Sequence, residues 1–288
     1  MAAGRDRLRR AIPPRILLHW VALRNRIGGE AELRLVPQLC DRRRVSIDVG
    51  ASMGTYALAM RPRSRAVILL EPDPTSAHWL RRAFGSSVDI REIAASDSDG
   101  TAVLRIPREP ARRGMATVDP RNDLGGVDME GVDVATRRLD GLALGRTALV
   151  KIDVEGHESA VIRGATGIIE RDHPAFIIEA EERHRPGSVR DVHQALSRYG
   201  YEGWYLNGRQ LHPMSEFNAE RDQSADAVVG GRKVPGRTYI NNFIFVHRDD
   251  ERRQEFLRRN APNVGPPDDV RQRPTTSPAR RSPSSRSG

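Results

Sequence analysis

Val45-Ser46-Ile47-Asp48-Val49-Gly50-Ala51-Ser52-Met53-Gly54 decides how this chain is read. A short run rich in β-branched residues ends at one glycine, and a second glycine follows four positions later. The run suits a strand buried on both faces of a parallel sheet. Gly50 suits a turn in which the backbone approaches a ligand, and Gly54 a close helix start. The spacing lacks the middle glycine of the dinucleotide fingerprint, the one that lets a pyrophosphate touch the backbone. A ligand without pyrophosphate fits better, and a tight turn with no ligand is the plain alternative.

Outward from this run, strands and helices alternate. A helix is expected over 55–60, a strand over 66–70, a helix opened by Pro72 and Pro74 that runs to Phe84, and a strand over 88–94. Further strands are expected over 101–106, 132–139, 148–153, 175–179, 201–206 and 242–246, and helices over 31–41, 158–170 and 188–199. The Gly- and Pro-rich stretch 108–131 reads as a loop, and the polar connection between the last two strands as a candidate lid. Such alternation means an α/β fold with a mostly parallel sheet covered on both faces. Residues 1–30 read as a basic leader with one short helix, its apolar residues Ile16, Leu17, Trp20, Val21 and Leu23 packing on the core. Residues 31–248 read as the folded domain. Residues 249–288 are Arg/Pro/Ser-rich and are expected to form a tail, disordered at its end.

Ligands of such sheets sit beyond the carboxyl ends of the strands, which directs attention to the acids there. Glu71 ends the strand after the glycine turn, where a carboxylate can accept both ribose hydroxyls. Its alternative is an exposed helix-capping glutamate. Asp97 follows the third strand, where it can accept from an adenine amino group or serve as an ordinary turn aspartate. Lys151-Ile152-Asp153-Val154-Glu155-Gly156-His157-Glu158 crowds carboxylates and a histidine at the mouth of the central crevice. Such crowding suits proton transfer. Asp153, Glu155 and His157 are the candidates for a base, with Glu179 behind them. Nothing in the pattern specifies a metal, and none is expected.

The chain has 288 residues, 38% hydrophobic and 30% charged, with a formal charge of +9. That charge invites a nucleic-acid reading. It is discounted because Lys151 and Lys233 are the only lysines, the arginines fall in clumps such as Arg5 to Arg10 and Arg271 to Arg286, and aromatics are not interleaved with them. Cys40 is the only cysteine, so no intramolecular disulfide and no cysteine-based metal site can form. The apolar stretch near the N-terminus is interrupted by Pro13, Pro14, Arg15 and His19, too short for a bilayer span and without a clear cleavage site. A cytoplasmic location is expected, with no integral membrane association and no specific nucleic-acid partner.

Taken in order, Ser46 to Tyr56, Glu71-Pro72-Asp73-Pro74, Ala94 to Gly100, Arg138-Leu139-Asp140-Gly141-Leu142 and Lys151 to Glu158 resemble the motifs of the FkbM-type methyltransferases. The resemblance covers roughly Leu33 to Val246, and Lys151 to Glu158 is its most specific piece. Ser52 departs from it, since the family usually has asparagine there. The resemblance implies a Rossmann-like class I methyltransferase fold with a seven-stranded, mostly parallel sheet flanked by helices, and S-adenosyl-L-methionine as cofactor. On the residues that match, Asp48, Gly50, Ser52, Gly54, Glu71 and Asp97 would bind that cofactor, and Asp153, Glu155 and His157 would act in catalysis. It further implies methyl transfer to a hydroxyl of a sugar, glycolipid or polyketide-type small molecule. The rival readings are a nicotinamide-dependent oxidoreductase, which needs the absent glycine, and a basic nucleic-acid-binding protein, which rests on net charge alone.

Overall fold

Val45–Val49 forms strand β1, buried along its whole length. The computed structural model describes residues 13–28, 30–122, 126–229 and 232–261, and places β1 inside an eight-stranded sheet. Its neighbours are β2 (Ala66–Leu70) and β7 (Thr147–Ile152), both parallel to it. Beyond β2 lies β3 (Asp89–Arg91), also parallel. Beyond β7 come β8 (Ala175–Glu179), parallel, and then β13 (Asn242–His247), β9 (Tyr201–Asn207) and β10 (Gln210–Pro213), each antiparallel to its neighbour. The expected Rossmann-like α/β architecture is present, with one strand more than the seven expected. The extra strand is β10, which folds back on β9 through a turn at Asn207-Gly208, where Gly208 has φ 62°.

Helices cover both faces. Ile68, Leu70, Ile152 and Ile178 face a core completed by α5 (Glu158–Arg163), α6 (Thr166–Asp172) and α7 (Ser188–Ser197). Val67, Leu69, Leu149 and Ile177 face the other core, completed by α2 (Val36–Leu39), α3 (Thr55–Met60) and α4 (Pro74–Phe84). Alternate residues of one strand thus feed opposite cores, which is why these strands read as continuous apolar runs. The stretch 31–41 buries Leu33, Val36, Leu39 and Cys40 as expected, through a 3₁₀ turn (Ala31–Arg34) followed by α2.

Three expectations need correction. The strand expected over 88–94 is two. After β3 the chain leaves the main sheet, and β4 (Ala94–Ala95) joins β6 (Met129–Arg137) and β5 (Gly100–Pro107) in a separate three-stranded sheet. The helix expected over 158–170 breaks between α5 and α6 at Gly164, where a Cβ would lie 1.9 Å from the Ser96 carbonyl oxygen. In α1 (Pro14–Gly28) the fully buried residue among the described side chains is Leu18, whereas Ile16, Trp20 and Leu23 are exposed.

Between β10 and β13 lie a short helix, α8 (Ala219–Asp222), and a separate two-stranded pair, β11 (Val228–Val229) and β12 (Arg232–Lys233). The stretch from 249 onward, expected to be tail, begins with an ordered helix, α9 (Glu251–Arg259). Its Leu257 sits in the second core. The leader arginines before residue 13 and the Pro/Ser/Arg-rich stretch after 261 lie outside the described residues. Among the described residues no helix is long and apolar enough to cross a membrane.

Candidate active site

The glycine turn is shaped by sterics before any ligand is considered. Gly50 has φ 76°, and a Cβ there would lie 1.8 Å from the Asp153 carbonyl oxygen. Gly54 has φ 79°, and its Cβ would lie 2.5 Å from the Phe84 ring. Between them Ser52 has φ 46°, in the left-handed region that favours glycine or asparagine. That gives a physical reason for asparagine at this position in the family that the motifs resemble. The turn is fixed to the next strand by Ser52 N–H, which donates to Glu71 Oε2 at 2.7 Å. Asp48 is buried beneath it and accepts from Ala57 N–H at 3.1 Å, tying β1 to α3.

Glu71 is the floor of this arrangement. Its second oxygen accepts from Asp73 N–H at 2.9 Å, so both carboxylate oxygens are aimed by backbone donors. Burial pushes its pKa up to about 7, with the two N–H groups opposing. Asp48 is likewise pushed up to about 7 by burial, with Lys151 opposing. Asp73 caps α4, accepting from Thr75 and Ser76 N–H groups, and is gripped by Arg113 at 2.6 and 2.9 Å. Burial would raise the Asp73 pKa, but Arg113, Ser76 and Thr75 hold it below the usual carboxylate range. Arg113 comes from a 3₁₀ turn (Pro110–Met115) inside the stretch expected to be plain loop.

Gly50, Ser52, Glu71 and Asp153 line one cavity of about 100 Å³, with apolar walls that include Leu70, Ile93 and Leu104 and a roof from Arg113 to Val118. It lies at the carboxyl ends of β1, β2 and β7, as the strand order requires. Asp48 and Gly54 stand behind this wall and do not line it.

Beside the cavity, β7, β8 and β13 bring charged groups together. Lys151 is 1% exposed, and its Nζ lies 3.7 Å from Asp153 Oδ2 and 3.9 Å from Glu179 Oε2. It also donates to Asn242 Oδ1 at 3.2 Å and sits 5.0 Å from the Tyr56 ring centroid. Burial would lower its pKa, but Asp153, Glu179, Glu30 and Asp48 raise it above the ordinary value. Asn241 Nδ2 donates to Glu179 Oε1 at 2.5 Å, and Asn241 Oδ1 accepts from Lys233 Nζ at 2.8 Å. The chain's two lysines therefore reach adjacent asparagines that flank Glu179. Burial, reinforced by Asp153, holds the Glu179 pKa well above the usual range.

The remaining candidates separate. Glu155 has φ 52°, its carbonyl held by Thr117 and Asn122, and its Oε2 lies 3.0 Å from His184 Nε2. Burial would lower the His184 pKa, but Glu155 raises it. His157 turns toward Ser96, with Nε2 at 2.9 Å from Ser96 Oγ, and burial lowers its pKa. Asp97 is ion-paired with Arg163 at 2.7 Å. Neither His157 nor Asp97 lines the cavity. Lys151, Arg113, His184 and Asn241 were not singled out from the sequence. For Lys151 a signal existed: a lysine retained where nearly every other cation is arginine marks a need for a compact point charge.

A profile of the methyltransferase FkbM domain matches residues 48–202, more than half of the chain. A comparison with curated proteins gives no match. Among solved structures, the methyltransferase FkbM from Methylobacillus flagellatus KT is similar at 17% identity and a TM-score of 0.44, over 71% of this chain and 44% of that one. This chain thus spans less than half the length of that relative. The O-methyltransferase from Bacillus cereus in complex with SAH is similar at 11% identity and a TM-score of 0.43, over 81% of this chain and 89% of that one.

Proposed function

Because the chain belongs to the FkbM methyltransferase family, we propose that it is an S-adenosylmethionine-dependent O-methyltransferase acting on a hydroxyl of a sugar, glycolipid or polyketide-type small molecule. One observation carries the reading. A glycine turn, a ribose-directed acid and a strand-end aspartate line the same cavity, at Gly50, Ser52, Glu71 and Asp153. The cofactor fits these residues. The Glu71 oxygens each accept one backbone hydrogen bond and keep lone pairs for a ribose diol. The missing Cβ at Gly50 lets the turn pack on the Asp153 carbonyl, and Leu70, Ile93 and Leu104 offer apolar surface to a purine. The roof must lift to admit a ligand of that size, which breaks the Arg113–Asp73 pair.

When bound, the cofactor supplies a methyl group on a sulfonium whose departure leaves a neutral thioether. The chain's part is to align an acceptor oxygen, exclude water and take up a proton. Asp153 is the candidate that lines the cavity, and in this reading it receives the hydroxyl proton. Lys151 and Glu179 position it. Glu155, engaged with His184, shapes the acceptor side. His157 and Asp97, outside the cavity, brace the neighbouring loops. Residues 31–248, together with α1 and α9 packed against them, form the catalytic unit.

Two measurements test this. Calorimetry should give saturable binding of S-adenosylhomocysteine and none of NAD, and the reverse order would overturn the assignment. Asp153→Asn should lower turnover 10²–10⁴-fold, the usual scale for losing a base, with cofactor affinity within a few-fold of wild type. Full activity in that variant would remove Asp153 from the reaction.

A further inference from the structure

At the amino ends of β1 and β2, the pole opposite the cavity, the surface opens into a crevice of about 440 Å³. Arg42, Arg43, Arg44, Arg63, Arg252 and Arg253 line it, against only two carboxylates, Asp41 and Asp250. Three sequence-distant segments supply these arginines: the approach to β1, the 3₁₀ turn Arg61–Arg63, and the first turn of α9. The length of β1 alone, about 16 Å at ~3.3 Å per residue, separates this crevice from the glycine turn.

A wholly solvated basic face leaves every guanidinium group in water, whereas this crevice buries Arg253 beneath the exposed Arg42, Arg43, Arg63 and Arg252. Arg253 is 4% exposed. Its Nη1 donates to Asp250 at 2.7 Å and its Nη2 to the Leu39 carbonyl at 2.5 Å, but its buried Nε has no partner among the described residues. Arg44 Nη1 donates to the Asp172 carbonyl and Arg252 Nη2 to the Gln38 carbonyl, which spends one donor of each. The side chains of Arg42, Arg43 and Arg63 form no hydrogen bond or ion pair among the described residues. Each guanidinium presents a planar fork of donors that matches a tetrahedral oxyanion, and the crevice gathers several around one opening.

We propose that this crevice binds a phosphoryl group, a phosphate monoester or diphosphate carried by a soluble compound or by a lipid headgroup. Bound there, the group stands a full strand length from the methyl-transfer site. It therefore anchors or regulates and does not react. The inference rests on the crevice alone and stands whether or not the proposed methyl transfer is correct.

The test is calorimetric titration of pyrophosphate into the full chain and into two variants. One is Arg42→Ala/Arg43→Ala/Arg63→Ala, at exposed positions. The other is a charge-matched control, Arg248→Ala/Arg258→Ala/Arg259→Ala, which removes three arginines elsewhere. The expected result is one saturable site in the wild type, at least tenfold weaker in the first variant and within twofold in the control, with both variants melting within a few degrees of wild type. No saturable binding, or equal weakening in both variants, would overturn the site. A flotation assay with phosphatidylcholine vesicles containing phosphatidylinositol phosphate separates the sources. Flotation lost in the first variant supports the site with a lipid ligand. Absence of flotation with pyrophosphate binding intact supports it with a soluble one.

Discussion

Glu71 and Glu179 each end a strand of the same sheet, and both are kept out of bulk water, yet they are held by different means. Glu71 is fixed by the main-chain N–H groups of Ser52 and Asp73. Glu179 is fixed by side chains, an amide from Asn241 and the charge of Lys151. An acid aimed by backbone is placed by the fold itself and survives most substitutions around it. An acid aimed by side chains depends on a balance of charges that single residues can upset. In the proposed function this difference divides the labour. The backbone-built side holds the cofactor, and the side-chain-built side handles the acceptor and its proton.

Lys151→Met breaks that balance most severely. It leaves Asp153 and Glu179 without their buried cation, and removing one partner of such a set typically costs about 3–5 kcal/mol. Urea unfolding should show a loss on that scale. A loss below about 1 kcal/mol would mean that the cluster is solvated and that Lys151 does not organise it.

A smaller effect sharpens the contrast through pH. Burial raises Asp48, Glu71 and Glu158 to about 7, from 3.8 for the aspartate and 4.5 for the glutamates. A carboxyl whose folded pKa lies above its unfolded value contributes stability that is fully present below the unfolded pKa. That stability is lost as pH rises through the folded one. The unfolding free energy from urea titration, and with it the midpoint, should therefore drop as pH rises from 5.5 to 7.5, by on the order of 1 kcal/mol per group. Glu181, held down to about 2 although burial opposes, by Arg183, His184 and Tyr239, acts in the opposite sense. Its contribution is lost only as pH falls below its unfolded value, outside this window. A flat or rising midpoint between pH 5.5 and 7.5 would contradict the buried placement of the three acids.

The sheet was legible because its strands are buried on both faces and its glycine turn has a steric reason to exist. What escaped was direction. Residues 88–94 carry one apolar run, but nothing in it announces that the chain changes sheets after Arg91. That change carries Ser96 and Asp97 away from the cavity and onto α5, where Arg163 meets Asp97. His157 follows them, because its partner Ser96 has moved. β10 had a local signal in Asn207-Gly208, a strong hairpin dipeptide, masked by the polar composition of Gln210 to Pro213. The Arg113 roof had none, since a 3₁₀ turn rich in arginine reads as loop until Asp73 is seen capping the helix beneath it. In α1 the apolar residues are spread around the helix, so the pattern alone did not single out Leu18 as the one that packs.

The account rests most directly on Glu71 as the anchor of the cofactor. Titration of S-adenosylhomocysteine into wild type and into Glu71→Ala should show saturable binding in both. Affinity should be weaker in the variant by about 1–2 kcal/mol, roughly five- to thirtyfold, the scale of hydrogen bonds to a charged acceptor. Unchanged affinity in a folded Glu71→Ala protein, or no binding in the wild type, would contradict it.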